Sequence, residues 1–386
     1  MPALTSLRGL AAVTVLLYHC SYIAFNFAGA AQPVLWRRGY LAVDLFFLLS
    51  GFVLTHVYAG RFASERNWQT IGRFLWARIC RIYPTSLFAA AVFVLPALVG
   101  RARWPAAISF KAQLIASLFL MQVPWLDKIA VNSPSWSVSA EFYAYLLFPF
   151  IVPVIWRLNG RAAAVLGIAL LVAIAGDHMF FTHEQQDLGW GALLRALPEF
   201  TAGIFAYRLY TAPVFRTIWQ KDAVLIAVAA AIIAACAGGA SDGVIVSLLL
   251  PLLLAAVCNA GRIARLLDAR PLRWLGEISY SLYIFQAMPL MLAIGLAGLL
   301  ETHGLGGTWF LGLAALLALG SGVLVHRCVD VPVRAVLRRL PDRIVAVAAA
   351  YRGANIRPVC RDAGAEAQPA RVGRPEAPAA KARMSP

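Results

Sequence analysis

Charge is what this 386-residue sequence has least of. Only 13% of its residues are charged while 61% are hydrophobic, against about a quarter and about a half in soluble globular domains. A water-soluble fold of this chain would carry far more apolar surface than it could hide. Acidic residues are the scarcer sign, with 18 Asp and Glu against 34 Lys and Arg. Catalytic signatures of several large classes are missing too. No P-loop or H-E-x-x-H motif occurs, so nucleotide hydrolysis and zinc proteolysis have no support. The six cysteines (Cys20, Cys80, Cys236, Cys258, Cys328 and Cys360) show no C-x-x-C or metal-ligand spacing. Most lie in or beside apolar blocks, where a thiol acts as a small hydrophobe, so neither a disulfide framework nor a metal site is expected. No internal repeat is evident.

What the sequence does contain is a succession of apolar blocks of roughly 17 to 25 residues, the length that crosses about 30 Å of hydrocarbon at 1.5 Å per residue. The expectation is an all-α, polytopic transmembrane bundle of about ten spans: 8–27, 39–59, 82–99, 136–156, 162–176, 190–209, 222–238, 242–258, 276–299 and 307–329. The net charge of +16 would suggest nucleic acid in a soluble protein. Here the basic residues cluster between alternate blocks: Arg61, Arg66, Arg73, Arg78 and Arg81; Arg157 and Arg161; Arg208, Arg216 and Lys221; Arg262, Arg265, Arg270 and Arg273. The segments after the fifth, seventh and ninth blocks carry Asp177, Glu184, Asp187, Asp242 and Glu301 without Lys or Arg. That asymmetry places both termini in the cytoplasm and makes the charge topological, with membrane lipids rather than nucleic acid as the partner. The segment with Arg101, Arg103, Lys111 and Lys128 departs from the rule, but it is long enough for an interfacial helix and is a weak topological signal. Residues 1–335 form the expected transmembrane domain. Residues 336–386 form a basic cytoplasmic tail, with a surface-lying segment over 336–352 and disorder from 353. The small residues Ala28-Gly29-Ala30 resemble a signal-peptide cleavage site. Against that reading stands His19, a costly polar group with no use in a discarded peptide.

Four local patterns carry chemistry. Arg8 and His19 lie eleven residues apart, which on a helix is about 1,100° of rotation and roughly 16 Å of rise, so both point the same way. A neutral imidazole near mid-membrane suits a general base; a histidine satisfied by interhelical hydrogen bonds is the alternative. In Gly39-Tyr-Leu-Ala-Val-Asp44-Leu-Phe-Phe-Leu-Leu-Ser50-Gly51-Phe52, Asp44 needs a partner: it orients His19 or pairs with an Arg. Ser50-Gly51 allows close backbone approach, which is first of all a packing feature. Arg78 and Arg81, three apart, share a helix face and can grip phosphates, or merely set topology. In Pro134-Ser-Trp136-Ser137-Val-Ser-Ala-Glu141, Trp136 suits the membrane interface, while Ser137 and Glu141 share a face. An isolated carboxylate in lipid is expensive, so Glu141 should face a polar cavity.

Taken in order, these four blocks resemble the membrane acyltransferase 3 family, which includes bacterial O-antigen, exopolysaccharide and nodulation-factor acyltransferases. Arg195-Ala-Leu-Pro-Glu199-Phe-x-x-Gly203 and Leu275-Gly-Glu-Ile-Ser-Tyr-Ser-Leu-Tyr283 extend the resemblance, which covers residues 4–335. It implies a multi-pass enzyme of the bacterial inner membrane that moves an acyl group, acetyl first among them, from cytoplasmic acyl-CoA to a hydroxyl of a carbohydrate. Acyl-CoA would be a substrate, with no permanently bound cofactor. By the resemblance Arg8 and His19 match the essential pair, Arg78 and Arg81 the CoA-phosphate block, and Trp136, Ser137 and Glu141 the third block; Asp44 joins His19 and Glu141 as a catalytic candidate. Departures are Thr5 for the usual Asp, Gln286 for a common His, and Asp330-Val-Pro332 for a glutamate-proline element. The chain also has no length for the extra periplasmic domain of some members. The competing class is a transporter or flippase of a lipid-linked glycan, which also needs polar residues in its spans. It predicts substrate movement without donor turnover. The glycan, the side on which it is modified and the oligomeric state are not legible.

Overall fold

The computed structural model describes residues 1–28, 32–64, 67–99, 108–129, 131–181, 188–212, 217–301 and 308–340. Among them the chain is helical, with no strand. The long helices are α1 (Pro2–Ala28), then after a short α2 (Val34–Arg37) and a tight turn come α3 (Ala42–Ser64) and α4 (Trp68–Leu98). Next follow α5 (Phe110–Phe119), α6 (Ser135–Arg157), α7 (Gly160–Phe180) and α8 (Gly189–Thr211). The remainder is α9 (Asp222–Ala237), α10 (Asp242–Ser247), α11 (Leu249–Cys258), α12 (Arg262–Leu267), α13 (Arg270–Phe285), α14 (Ala287–Glu301) and α15 (Thr308–Val325). A π-turn, His326–Asp330, follows α15 and leads on helically to Leu340.

Six of the described helical segments are long and apolar enough to cross a membrane: Pro2–Asn26, Gly39–Phe62, Trp68–Leu98, Ser135–Arg157, Gly160–Phe180 and Gly312–Leu340. A seventh candidate, α13 with the first part of α14, is bent by 59°. The bend has a local cause, because Pro289 has no N–H to give the Phe285 carbonyl one turn back. All ten apolar segments read from the sequence fall on these helices, but not all as single spans. α8 is long yet interrupted by Arg195, Glu199 and Arg208, α9 has only 16 residues, and α10 and α11 are separate pieces. α4 begins well before residue 82 because Asn67 caps it, its side chain accepting from the Thr70 N–H at 2.8 Å, and arginines on a helix surface do not stop a helix. The long segment after α4 holds a helix, α5. Residues 336–340, the start of the candidate surface segment, continue the helical segment Gly312–Leu340, while the rest of that surface segment, Arg343 included, and the tail beyond residue 340 lie outside the described residues.

Two glycine crossings fix the frame. A Cβ on Gly51 of α3 would fall 2.0 Å from the Phe200 carbonyl oxygen of α8, and one on Gly203 would fall 2.1 Å from the Leu48 carbonyl oxygen. Backbone therefore lies directly on backbone where α3 crosses α8, as small residues permit in membrane helices. α1 meets α13 in the same way: a Cβ on Gly276 would lie 1.9 Å from the Thr5 carbonyl oxygen. The apolar core then divides into a large cluster around Phe47, Phe74, Phe148 and Phe200 and a second around Leu48, Phe52, Leu253 and Leu254. A third and smaller one joins Leu16 and Cys20 of α1 to Leu282, Leu290 and Ala314.

Candidate active site

The beginning of α1, the length of α3, the first half of α4, the start of α6 and the middle of α13 enclose a cavity of about 250 Å³. Arg8, Arg78, Arg81, Ser137 and Glu141, all singled out from the sequence, line it together. Thr5, Ser50, His56, Tyr145, Ser279, Tyr280 and Tyr283 add to its polar surface.

The cations are held mainly by neutral groups. Arg8 donates through Nε to Ser279 Oγ at 3.1 Å and through Nη2 to the Gly276 carbonyl at 2.9 Å. Arg78 donates to the Tyr58 hydroxyl at 3.3 Å and lies against the Tyr58 and Phe74 rings, while its buried Nε has no partner among the described residues. Arg81 stacks over Tyr280, 5.2 Å from the ring centroid, and reaches Asp330 Oδ2 at 3.3 Å. Glu141 accepts a hydrogen bond from Ser50 Oγ. Three guanidiniums thus face a single carboxylate in the lining, a surplus of positive charge that suits a polyanionic ligand. Ser137, at the start of α6, shares a 2.7 Å hydrogen bond with the Tyr283 hydroxyl.

His19, Asp44 and Trp136 are not in this lining. His19 sits further along α1, with the Gln286 side chain against its ring and with Nδ1 buried and unpaired among the described residues. Gln286 stands at the break between α13 and α14, its Nε2 donating to the Tyr283 carbonyl at 3.0 Å. Of the two partners open to Asp44, the structure supplies an arginine: Arg195 Nε and Nη2 donate to Asp44 Oδ1 and Oδ2 at 2.6 and 3.0 Å. Trp136 is only 6% exposed, and its ring lies under the Arg195 guanidinium at 5.2 Å.

Arg195, Glu199 and His178 form the rest of this second polar cluster. His178 Nε2 lies 3.3 Å from Glu199 Oε1 and 3.8 Å from Asp44 Oδ1, and all these side chains are sealed from solvent. Arg195 and Glu199, four apart in the first half of α8, share one face, and that spacing was the available signal. Asp44, His178 and Glu199 bring ligand atoms within 4.8 Å of one another, but both Asp44 oxygens already accept from the Arg195 fork. A guanidinium occupies the cation's place, and the group does not fit a metal ion.

Comparison with known proteins bears on what this arrangement does. The family model of the acyltransferase 3 type, described as an acyltransferase domain, matches residues 1–327. Acyltransferase MdmB of Streptomyces mycarofaciens is 28% identical over 88% of this chain and 93% of its own length. The putative peptidoglycan O-acetyltransferase YrhL of Bacillus subtilis is 25% identical over 74% of this chain, and peptidoglycan O-acetyltransferase OatA of Listeria monocytogenes is 23% identical over the same share. The chain spans about half the length of each of those two proteins, the match covering 48% of both. No solved structure matches. With four blocks in order, a multi-pass helical frame and a family match across nearly all described residues, the chain belongs to the membrane acyltransferase 3 family and is an acyltransferase.

Proposed function

We propose that the protein is an inner-membrane O-acyltransferase that transfers acetyl, or another short acyl group, from acyl-CoA to a hydroxyl of a carbohydrate. The observation that carries this is the cavity in which Arg8, Arg78 and Arg81 outnumber Glu141. Acyl-CoA is a thioester carrying several phosphates, and a fork of guanidiniums is the side-chain chemistry that holds phosphate. The relatives named as O-acetyltransferases of peptidoglycan support a glycan acceptor. In this reading the basic segments face the cytoplasm, both termini lie there, and the ten apolar segments all serve as spans, some broken. The cavity then opens to the cytoplasmic donor.

The chemistry falls to His19. The acceptor hydroxyl oxygen bonds to the acyl carbon as the C–S bond breaks; His19 takes the hydroxyl proton, and the departing thiolate receives a proton in turn. Alternatively His19 is acylated first and passes the group to the acceptor, so that acyl crosses the bilayer without CoA. Phe46 and Tyr283 both line the cavity, ring centroids 5.6 Å apart. Phe46 packs against the Leu16 and Cys20 cluster that flanks His19, so these two rings are the parts that must yield for the thioester to reach the imidazole. Glu141, beside Ser50, would orient the acceptor hydroxyl or hold the imidazolium charge; Ser137 would shape the cavity wall; Trp136, packed under Arg195, and Asp44 would act through the helices they anchor. His19→Ala with normal membrane insertion should abolish transfer, read as loss of acetyl ester from surface glycans by mass spectrometry against a deletion strain. Wild-type acetylation in that variant would remove both routes.

A further inference from the structure

Asp330 has no part in the reading above, yet it is the most heavily engaged acid near the cavity. Its side chain is fully buried, and one oxygen, Oδ2, serves three neighbours: Arg81 Nη1 at 3.3 Å, His326 Nδ1 at 3.2 Å, and Arg334 Nη2. The other oxygen, Oδ1, is buried with no partner among the described residues. Arg81 lines the cavity; Asp330, His326 and Arg334 do not.

The backbone explains how the carboxylate arrives there. His326–Asp330 is a π-turn, closed by the Val331 N–H donating to the His326 carbonyl. One extra residue per turn rotates everything that follows by about 100° relative to an uninterrupted helix. Without it Asp330 would point to a different side of its helix. The turn carries a cost in backbone geometry that a simple span would avoid, and its product is a carboxylate aimed at Arg81.

Electrostatics shows what that accomplishes. Arg8 lies within Coulomb range of both Arg81 and Arg334. Three guanidiniums gathered in a low-dielectric wall repel one another, and the mobile side chain of Arg81 would swing away from the cavity. A buried carboxylate behind it holds the cation in place, while the Tyr280 ring fixes its plane from one face. Because Oδ2 is shared, Arg81 is steadied without being neutralised as Arg195 is.

We propose that Asp330, delivered by the π-turn, is a positioning residue that holds Arg81 toward the cavity for the phosphates of the donor. The inference rests on the acyl-CoA reading. The test measures binding of CoA itself to the purified full-length protein in nanodiscs, with thermal unfolding recorded for every variant. Asp330→Asn should raise the CoA Kd at least tenfold in folded protein. In an Arg81→Ala background the same substitution should change Kd less than twofold, because the residue through which it acts is gone; a general loss of structure would weaken both backgrounds alike. Should Asp330→Asn fail to fold, Asp330→Glu, which keeps the charge but moves it by one methylene, is expected to raise Kd at least threefold. Unchanged affinity in the folded variant, or an undiminished effect without Arg81, overturns the clamp alone. A wild-type protein that does not bind CoA overturns the donor reading and the clamp with it.

Discussion

The cavity and the cluster around Asp44 are built from the same residue types and use them oppositely. In the cavity, Arg8 is held by a hydroxyl and a carbonyl and Arg78 by a phenol, so their charges stay available. In the cluster, Arg195 meets Asp44 through a two-point fork with both side chains 0% exposed. A guanidinium held by neutral groups at a cavity wall invites an anion; one neutralised in a sealed interior ties helices together. α3 contributes to both, Asp44 near its start and Ser50 further along, so the anchor at one end positions the cavity wall at the other.

The sharpest way to break this comparison is to remove one member of the sealed pair. Asp44→Ala or Arg195→Ala leaves an uncompensated buried charge, and the expected loss is about 3–5 kcal/mol of stability, read as a large fall in the midpoint of thermal or denaturant unfolding. The double replacement Asp44→Leu with Arg195→Met should recover most of that loss, since apolar residues of similar volume are often neutral in place of a buried pair. Single variants that unfold normally but no longer transfer acyl would show instead that the cluster belongs to the chemistry.

Arg78→Ala is the matching test in the cavity. Its unfolding midpoint should stay near wild type, because the charge it loses is uncompensated, while the CoA Kd rises by tenfold or more. Arg78→Lys should fall between, keeping the charge but losing the planar fork. A stability loss as large as that of Arg195→Ala, with CoA binding unchanged, would erase the distinction between the two regions.

How far the sequence reaches follows from which interactions are local. The apolar blocks are local, so the helices were legible as segments, while the start of α4 at the Asn67 cap, well ahead of the apolar block, was not. The gathering of Arg8, Arg78, Arg81, Ser137 and Glu141 on one cavity was legible as a family pattern. The partner of Asp44 lies 151 residues away, and nothing in the Asp44 block singles out Arg195 over other arginines. Asp330 was visible only as a departure from a motif, because a π-turn leaves no periodicity in an apolar run. The break at Gln286 could have been read from Pro289; its closeness to His19 could not.

Glycine crossings couple the two regions, and their disruption should come next in size. Gly51→Ala or Gly203→Ala puts a methyl where a carbonyl oxygen already sits. α3 and α8 must then separate, at an expected cost of about 1–3 kcal/mol. Because Ser50 precedes Gly51, the shift should also raise the CoA Kd by a few-fold. A variant destabilised without any change in CoA binding would mean that the cavity wall does not depend on that crossing.

The smallest effect is expected at Asp242, which accepts from Arg38 and from the Tyr40 hydroxyl beside the start of α3. Here too a cation meets an acid, but the side chains are 30% and 16% exposed, so water already solvates both charges and salt screens them. Asp242→Asn keeps an acceptor for Tyr40 and should cost no more than about 1 kcal/mol, with the difference from wild type shrinking further in 1 M salt, where the screening length falls to about 3 Å. The pair differs from Asp44–Arg195 in solvent access far more than in chemistry. A loss at Asp242 that matched the Asp44 variants and ignored salt would show that sealing from water is not what separates an anchor from an ordinary ion pair in this protein.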